Sequence, residues 1–251
     1  MFKRFLLGTS GLLVAAGMAS TAANALMIDD FTDGPQAIQI IGPLADADPD
    51  VNVTLLDNAG GLMPTDAGPH ASILGGYRDI STTLIHSPNS FSGTTALGAV
   101  SPGIFSHSQD NGVASHSYIT WNGLEGGGLN ADLTDGGSSY RFHLLVLTAD
   151  DGVDWSLEVA DGDSSFLYGF ENNADINAPT SLYLPFALFA GIDFTDILSI
   201  RFGANVLNTD NFDTSVGLLE TVGDVPEPAS MALIGAGLFG LGGITRRRKV
   251  A

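Results

Sequence analysis

The stretch VDWSLEVADG, residues 153–162, alternates Val153, Trp155, Leu157 and Val159 with Asp154, Ser156 and Glu158, then turns at Asp161-Gly162. Side chains repeat every two residues along a strand, so the pattern fits a half-buried strand and no helix. ILSIRFGANV repeats it, with Leu198, Ile200 and Phe202 opposite Ser199 and Arg201. YRFHLLVLT sets Phe142, Leu144 and Val146 on one side of a longer apolar run, the mark of a strand buried on both faces. SHSYITWNG alternates more loosely through Tyr118 and Thr120 and stops at the turn pair Asn122-Gly123. Further short strands are expected near Ala37–Ile41, Val51–Leu56 and Ser181–Leu184, with turns at Asp33-Gly34, Asp135-Gly136 and Asp151-Gly152. Away from the chain ends, no segment has a long, capped 3.6-residue periodicity. The expected class is all-β, an antiparallel β-sandwich of the jelly-roll kind.

Both ends of the 251-residue chain read differently. Lys3 and Arg4 precede an apolar, small-residue run from Leu6 to Ala19, and Ala23-Asn24-Ala25 follows as an A-x-A site. That is the layout of a secretory signal peptide over residues 1–25, cleaved after Ala25. At the other end, Ala229 to Ile244 is uncharged and ends in Arg246, Arg247, Arg248 and Lys249. As a helix it would span roughly 24 Å, against about 30 Å of hydrocarbon. The terminal basic cluster keeps that end in the cytoplasm. Five glycines between Gly235 and Gly243 make it a poor permanent anchor.

Pro226-Glu227-Pro228, the glycine-rich apolar segment and the arginine cluster, in that order, resemble the PEP-CTERM sorting signal of Gram-negative bacteria. The resemblance implies that Pro226, Glu227 and Pro228 are the recognition element. It also implies transient membrane insertion through a C-terminal transmembrane sorting helix, with Arg246, Arg247 and Arg248 beyond it. The processing enzyme would be an exosortase, a membrane-embedded cysteine protease acting after the secretion machinery. The body would then pass to the cell surface or its exopolysaccharide. A second resemblance rests on IDDF near residue 28, LGGYRDI at 74–80 and LPFALFAGIDFTDILSIRF. These are similar to the ectodomain commonly joined to such signals and to carbohydrate-binding-module-like jelly rolls, in which the opening Asp-Phe strand pairs with the last strand. The organisation expected is 1–25 signal peptide, 26–222 β-sandwich, 223–251 sorting signal.

Between the two ends the body, Leu26 to Asp224, keeps three basic residues and 27 acidic ones, a formal charge of −24. Such a field repels nucleic acid and recruits cations. With no cysteine there are no disulfides, thiol nucleophiles or thiolate metal sites. Calcium is the candidate cofactor, because it takes six to eight oxygen ligands. Asp150, Asp151 and Asp154 with Asp161 and Asp163 are the densest carboxylates, although one strand separates the two loops. Asp46, Asp48 and Asp50 form a second candidate, and Asp29, Asp30 and Asp213 a third, if the first and last strands share an ion.

Catalytic signals are weak. Asp154 and Glu158, on one strand, would stand about 13 Å apart, too far for glycoside hydrolysis. The histidines have no zinc-like spacing, and the Ser/His-rich stretch around His107 and His116 lacks a G-x-S-x-G motif. A non-enzymatic surface or matrix protein is expected, with a calcium-dependent lectin and a polysaccharide hydrolase as alternatives. Trp121, beside its turn, and Tyr118 are the candidate glycan-stacking residues, and Trp155 is expected in the core. Arg78, Arg141 and Arg201 are expected in local ion pairs.

Overall fold

The computed structural model describes residues 25–42, 69–86, 93–150, 152–172, 174–205 and 212–223. All of them fall within the compact unit Ala23–Asp224. The signal peptide up to residue 24, the strand expected at Val51–Leu56, the Asp46-to-Asp50 run and the sorting segment from Asp224 onward lie outside the described residues.

Among the described residues, twelve strands form two antiparallel sheets, the two layers of a β-sandwich. The seven-stranded sheet runs β10 (Thr180–Pro185), β7 (Arg141–Ala149), β12 (Asp213–Val222), β5 (Ile104–Gln109), β4 (Gly93–Ser101) and β2 (Gln36–Gly42). β1 (Leu26–Asp29) pairs with the far half of β12, placing Met27 opposite Glu220. The five-stranded sheet runs β3 (Asp79–His86), β6 (Ala114–Trp121), β11 (Ile197–Ala204), β8 (Asp154–Asp161) and β9 (Ser165–Glu171). Only β4–β5 and β8–β9 are consecutive strands that pair; elsewhere the chain crosses between layers or pairs out of order, as in a jelly roll.

β2, β6, β7, β8, β10 and β11 stand where strands were expected, but β7 buries alternate residues on one face and not both faces as its apolar run suggested. The opening strand pairs with the closing one, as the jelly-roll resemblance implied. Inward positions carry Phe105, Phe142, Val146, Trp155, Leu157, Ile200 and Phe202 in one core. In β6 it is Ser115, Ser117, Ile119 and Trp121 that are buried, so Tyr118 and Thr120 point outward. Asn122-Gly123 turns the chain into a short 3-10 segment, Leu124–Gly126, and not into a two-residue hairpin. Glycine is required there: Gly123 has φ 72°, and a Cβ would lie 2.5 Å from the Gly128 carbonyl oxygen.

A polar layer crosses the interlayer space between two apolar clusters. On β3, Thr82 lies between Ile80 of the main core and Leu84 of a smaller cluster completed by Ile40, Ala96 and Val113. On β4, Gly98 lies between Val100 and Ala96 in the same way. His107 Nδ1 meets Ser117 Oγ at 2.8 Å, and Ser117 Oγ meets Thr82 Oγ1 at 2.8 Å. A Cβ on Gly98 would fall 2.2 Å from Thr82 Oγ1, so the hydroxyl pair occupies the space glycine leaves. Gln109 Oε1 accepts from Ser115 N and Oγ, each at 2.8 Å, which extends the polar layer along β5 and β6.

Candidate functional site

The outward residues of the five-stranded sheet gather around Tyr118. Strand pairing sets Tyr118 opposite Gly203, and Arg201 opposite both Thr120 and Glu158. A side chain at Gly203 would put its Cβ 2.6 Å from Tyr118 Cε1 and 2.6 Å from Ser156 Oγ, so the ring fills the gap that glycine opens. Arg201 Cζ lies 4.8 Å from the centre of that ring, and His116 packs on it at 4.9 Å. Arg201 Nη2 is 2.6 Å from Glu158 Oε2, while Ser165 Oγ donates to Glu158 Oε1 at 2.7 Å. Burial raises the Tyr118 phenol above its ordinary pKa, and Arg201 opposes that shift. The result is a half-buried ring beside a paired guanidinium and carboxylate, able to contact a sugar's apolar face and hydrogen-bond its hydroxyls.

Trp121 does not belong to this surface. It is 0% exposed, and its indole Nε1 donates to Asp29 Oδ2 at 2.9 Å. Alternation decides this: with Ser117 and Ile119 inward, Trp121 must be inward too. Asp29 is likewise withdrawn from any calcium site. It accepts from Arg78 Nη1 at 2.8 and 2.7 Å and from the Phe31 amide at 2.7 Å. Burial raises the Asp29 carboxyl above its ordinary pKa, opposed first by the charge of Arg78. Asp213 is not near Asp29, which pairs with Leu219; six residues of β12 separate them, about 20 Å.

The remaining acidic candidates are also dispersed. Asp150 and Asp161 flank β8 at opposite ends, as their spacing suggested. Asp150 Oδ2 accepts from the Asp213 amide at 3.1 Å, and Asp213 Oδ1 from the Gln109 amide at 3.3 Å. Asp161 accepts from the amides of Asp163, Ser164 and Asp193 at 2.9, 2.6 and 2.8 Å. Asp30 accepts from Thr32 N and Oγ1, the turn also made by Asp132 with Thr134 and by Asp193 with Thr195. Asp154 is buried, and Asp151 lies outside the described residues. Among the described residues, no three His, Asp or Glu side chains form a metal-ligand group. Asp30, Asp132, Asp161 and Asp193 therefore serve turns, while Asp150 and Asp213 accept amides of β12 and β5.

His107 does pair with a serine, but both lie between the layers, where no substrate reaches them. Asp154 and Glu158 share β8 four residues apart, too far for a glycosidase pair. Arg78 pairs across 49 positions and not locally.

A second outward cluster went unread in the sequence. On the seven-stranded sheet, Tyr183 of β10 stands opposite His143 of β7, with ring centres 4.9 Å apart. Arg141 Cζ lies 4.7 Å from the Tyr183 ring and 5.3 Å from that of Tyr140. His143 Nδ1 meets Glu220 Oε1 at 2.8 Å, and Nε2 meets Ser181 Oγ at 2.9 Å. The signal was present in SLYLP, where Leu182 and Leu184 alternate with Tyr183.

Residues 224–249 match the family model of the PEP-CTERM protein-sorting motif. The chain therefore carries that sorting signal behind a β-sandwich body, and the signal marks it as exported. Among curated proteins none matches the sequence. Solved structures similar to the chain include the family 11 carbohydrate-binding module from Clostridium thermocellum, in complex with a β-1,3-1,4-mixed-linked tetrasaccharide. It is 10% identical, with 83% of this chain and 100% of that one covered and a TM-score of 0.38. A family 30 carbohydrate-binding module is 11% identical over 79% and 99% of the two chains, with a TM-score of 0.39. Likenesses at this level say nothing of what the chain binds.

Proposed function

We propose that this is a non-enzymatic component of the cell surface or exopolysaccharide matrix of a Gram-negative bacterium. It is exported through its signal peptide, held briefly in the inner membrane by the C-terminal segment, and cut by an exosortase near Pro226–Pro228. The observation that carries this reading is the sorting motif at residues 224–249. The acidic, cysteine-free sandwich suits a body that works outside the cell without staples. Changing Glu227→Ala, or deleting the exosortase, should leave full-length protein in the membrane fraction. Unchanged release of a shortened protein would contradict the proposal.

A glycan-binding role is the second reading, favoured by the Tyr118–Arg201–Glu158 cluster on an outer sheet face. Tyr118→Ala should weaken retention on matrix polysaccharide without shifting the melting temperature by more than a few degrees. Retention unaltered by that change would exclude this face.

A further inference from the structure

We propose that Tyr140, Arg141 and Tyr183 form a separate binding surface for carboxylate-bearing sugars, the uronic acid units of an anionic polysaccharide. The proposal rests on the reading that the body works among matrix glycans, and it names a sugar class and a site for it. Tyr183 is 49% exposed and Tyr140 40%, in a body that otherwise buries most of its large rings. Between them, Arg141 donates from Nη2 to the Gly223 carbonyl oxygen at 3.1 Å. Among the described residues Arg141 forms no ion pair, whereas Arg78 is paired with Asp29 and Arg201 with Glu158. Glu220, on the neighbouring strand, already faces His143. Among the described residues, then, Arg141 is the guanidinium whose charge is not already matched to a carboxylate.

Its chemistry selects the ligand. The planar fork of an arginine matches a carboxylate in a bidentate pair, and the exposed parts of the Tyr140 and Tyr183 rings on either side of it offer apolar contact to a pyranose. The body's acidity opposes a polyanion only at long range. At physiological salt, charges beyond about 8 Å are screened, while a contact pair is not. The surface lies on the seven-stranded sheet and the Tyr118 cluster on the five-stranded one, so the two can be disabled independently.

The test uses mature protein purified from its exporting host, at physiological salt, with polygalacturonate and its fully methyl-esterified form as probes. The two polymers differ in the carboxylate charge. Wild type should bind the acid form about tenfold more tightly, the scale of one charge-assisted hydrogen bond. Arg141→Ala should abolish that preference, and Tyr183→Ala should weaken binding with the fold intact, since its ring is half exposed. Leu167→Ala, at an exposed position on β9 and outside both clusters, should change neither. Equal affinity for both polymers, no binding to polygalacturonate, or a preference that survives Arg141→Ala would each overturn the proposal. Tail removal is read separately, so a failure here leaves the sorting reading standing.

Discussion

Trp121 donates its indole N–H to Asp29 across 92 residues, joining β6 of one layer to the opening strand of the other. Because Trp121 is fully enclosed, its truncation acts on the fold. Trp121→Phe should cost about 1–3 kcal/mol, leaving Asp29 short of a donor, and Trp121→Ala about 3–5 kcal/mol. Urea unfolding measures both. Glycan binding per folded molecule should be the same in Trp121→Phe as in wild type.

Arg78 is the other half of that junction. Its guanidinium also reaches Gln36 Oε1 at 3.0 Å and the carbonyl oxygens of Asp33 and Gly34, so β1, β2 and the entry to β3 meet on one cation. Removing the cation alone, as Arg78→Met, should destabilise by about 3–5 kcal/mol because Asp29 is left buried and unpaired. The double change Asp29→Leu with Arg78→Met should cost less than the sum of the single changes. Strict additivity in that cycle would mean the pair is not coupled.

His107 gives the sandwich an acid-sensitive point. Burial pushes its imidazole down to about 4 from the ordinary 6.5, so the folded protein holds it neutral. The unfolded chain takes up a proton first as pH falls, so stability declines between about 6.5 and 4 and is unaffected by this group above that window. The loss amounts to about 3 kcal/mol over the window. In His107→Gln, stability at pH 4.5 relative to pH 7.5 should fall less than in wild type by an amount of that order. Identical pH profiles would contradict the assignment.

Asp150 accepts from the first amide of β12, and Asp161 from amides of its own turn and of Asp193. Asp150→Asn and Asp161→Asn should therefore leave the response of the melting temperature to calcium the same as in wild type, whatever its size. A calcium response that vanishes in either variant would place the ion at that residue.

The strands richest in alternating apolar residues were legible because burial on one face imposes a period of two. β8 and β11 are examples, though Asp154 and Ser156 of β8 are buried as well. β3, β4, β5 and β12 were not legible. There Thr82, Gly98, His107 and Thr214 sit at inward positions, so the polar layer erased the contrast the pattern depends on; β9 does alternate, through Phe166, Tyr168 and Phe170, and went unread. Trp121 misled for a related reason. Its neighbour Gly123 marks a turn, and turns are usually exposed, but the indole N–H had a buried carboxylate to meet. Nothing in the linear order announces Asp29 as that partner, or Arg78 as its counter-charge. The amides that Asp150 and Asp161 face could not be read either, because sequence shows charge but not what it faces. Tyr183 was readable from its alternation; Arg141 beside it depended on the β7–β10 pairing.

The most direct test of export and sorting is mass spectrometry of both termini of the protein in the surface fraction of its native host. The expected result is an N-terminus at Leu26 and a C-terminus within or next to Pro226–Pro228. Surface-fraction peptides that run through Phe239 to Arg246 would contradict removal of the tail and, with it, the proposed function.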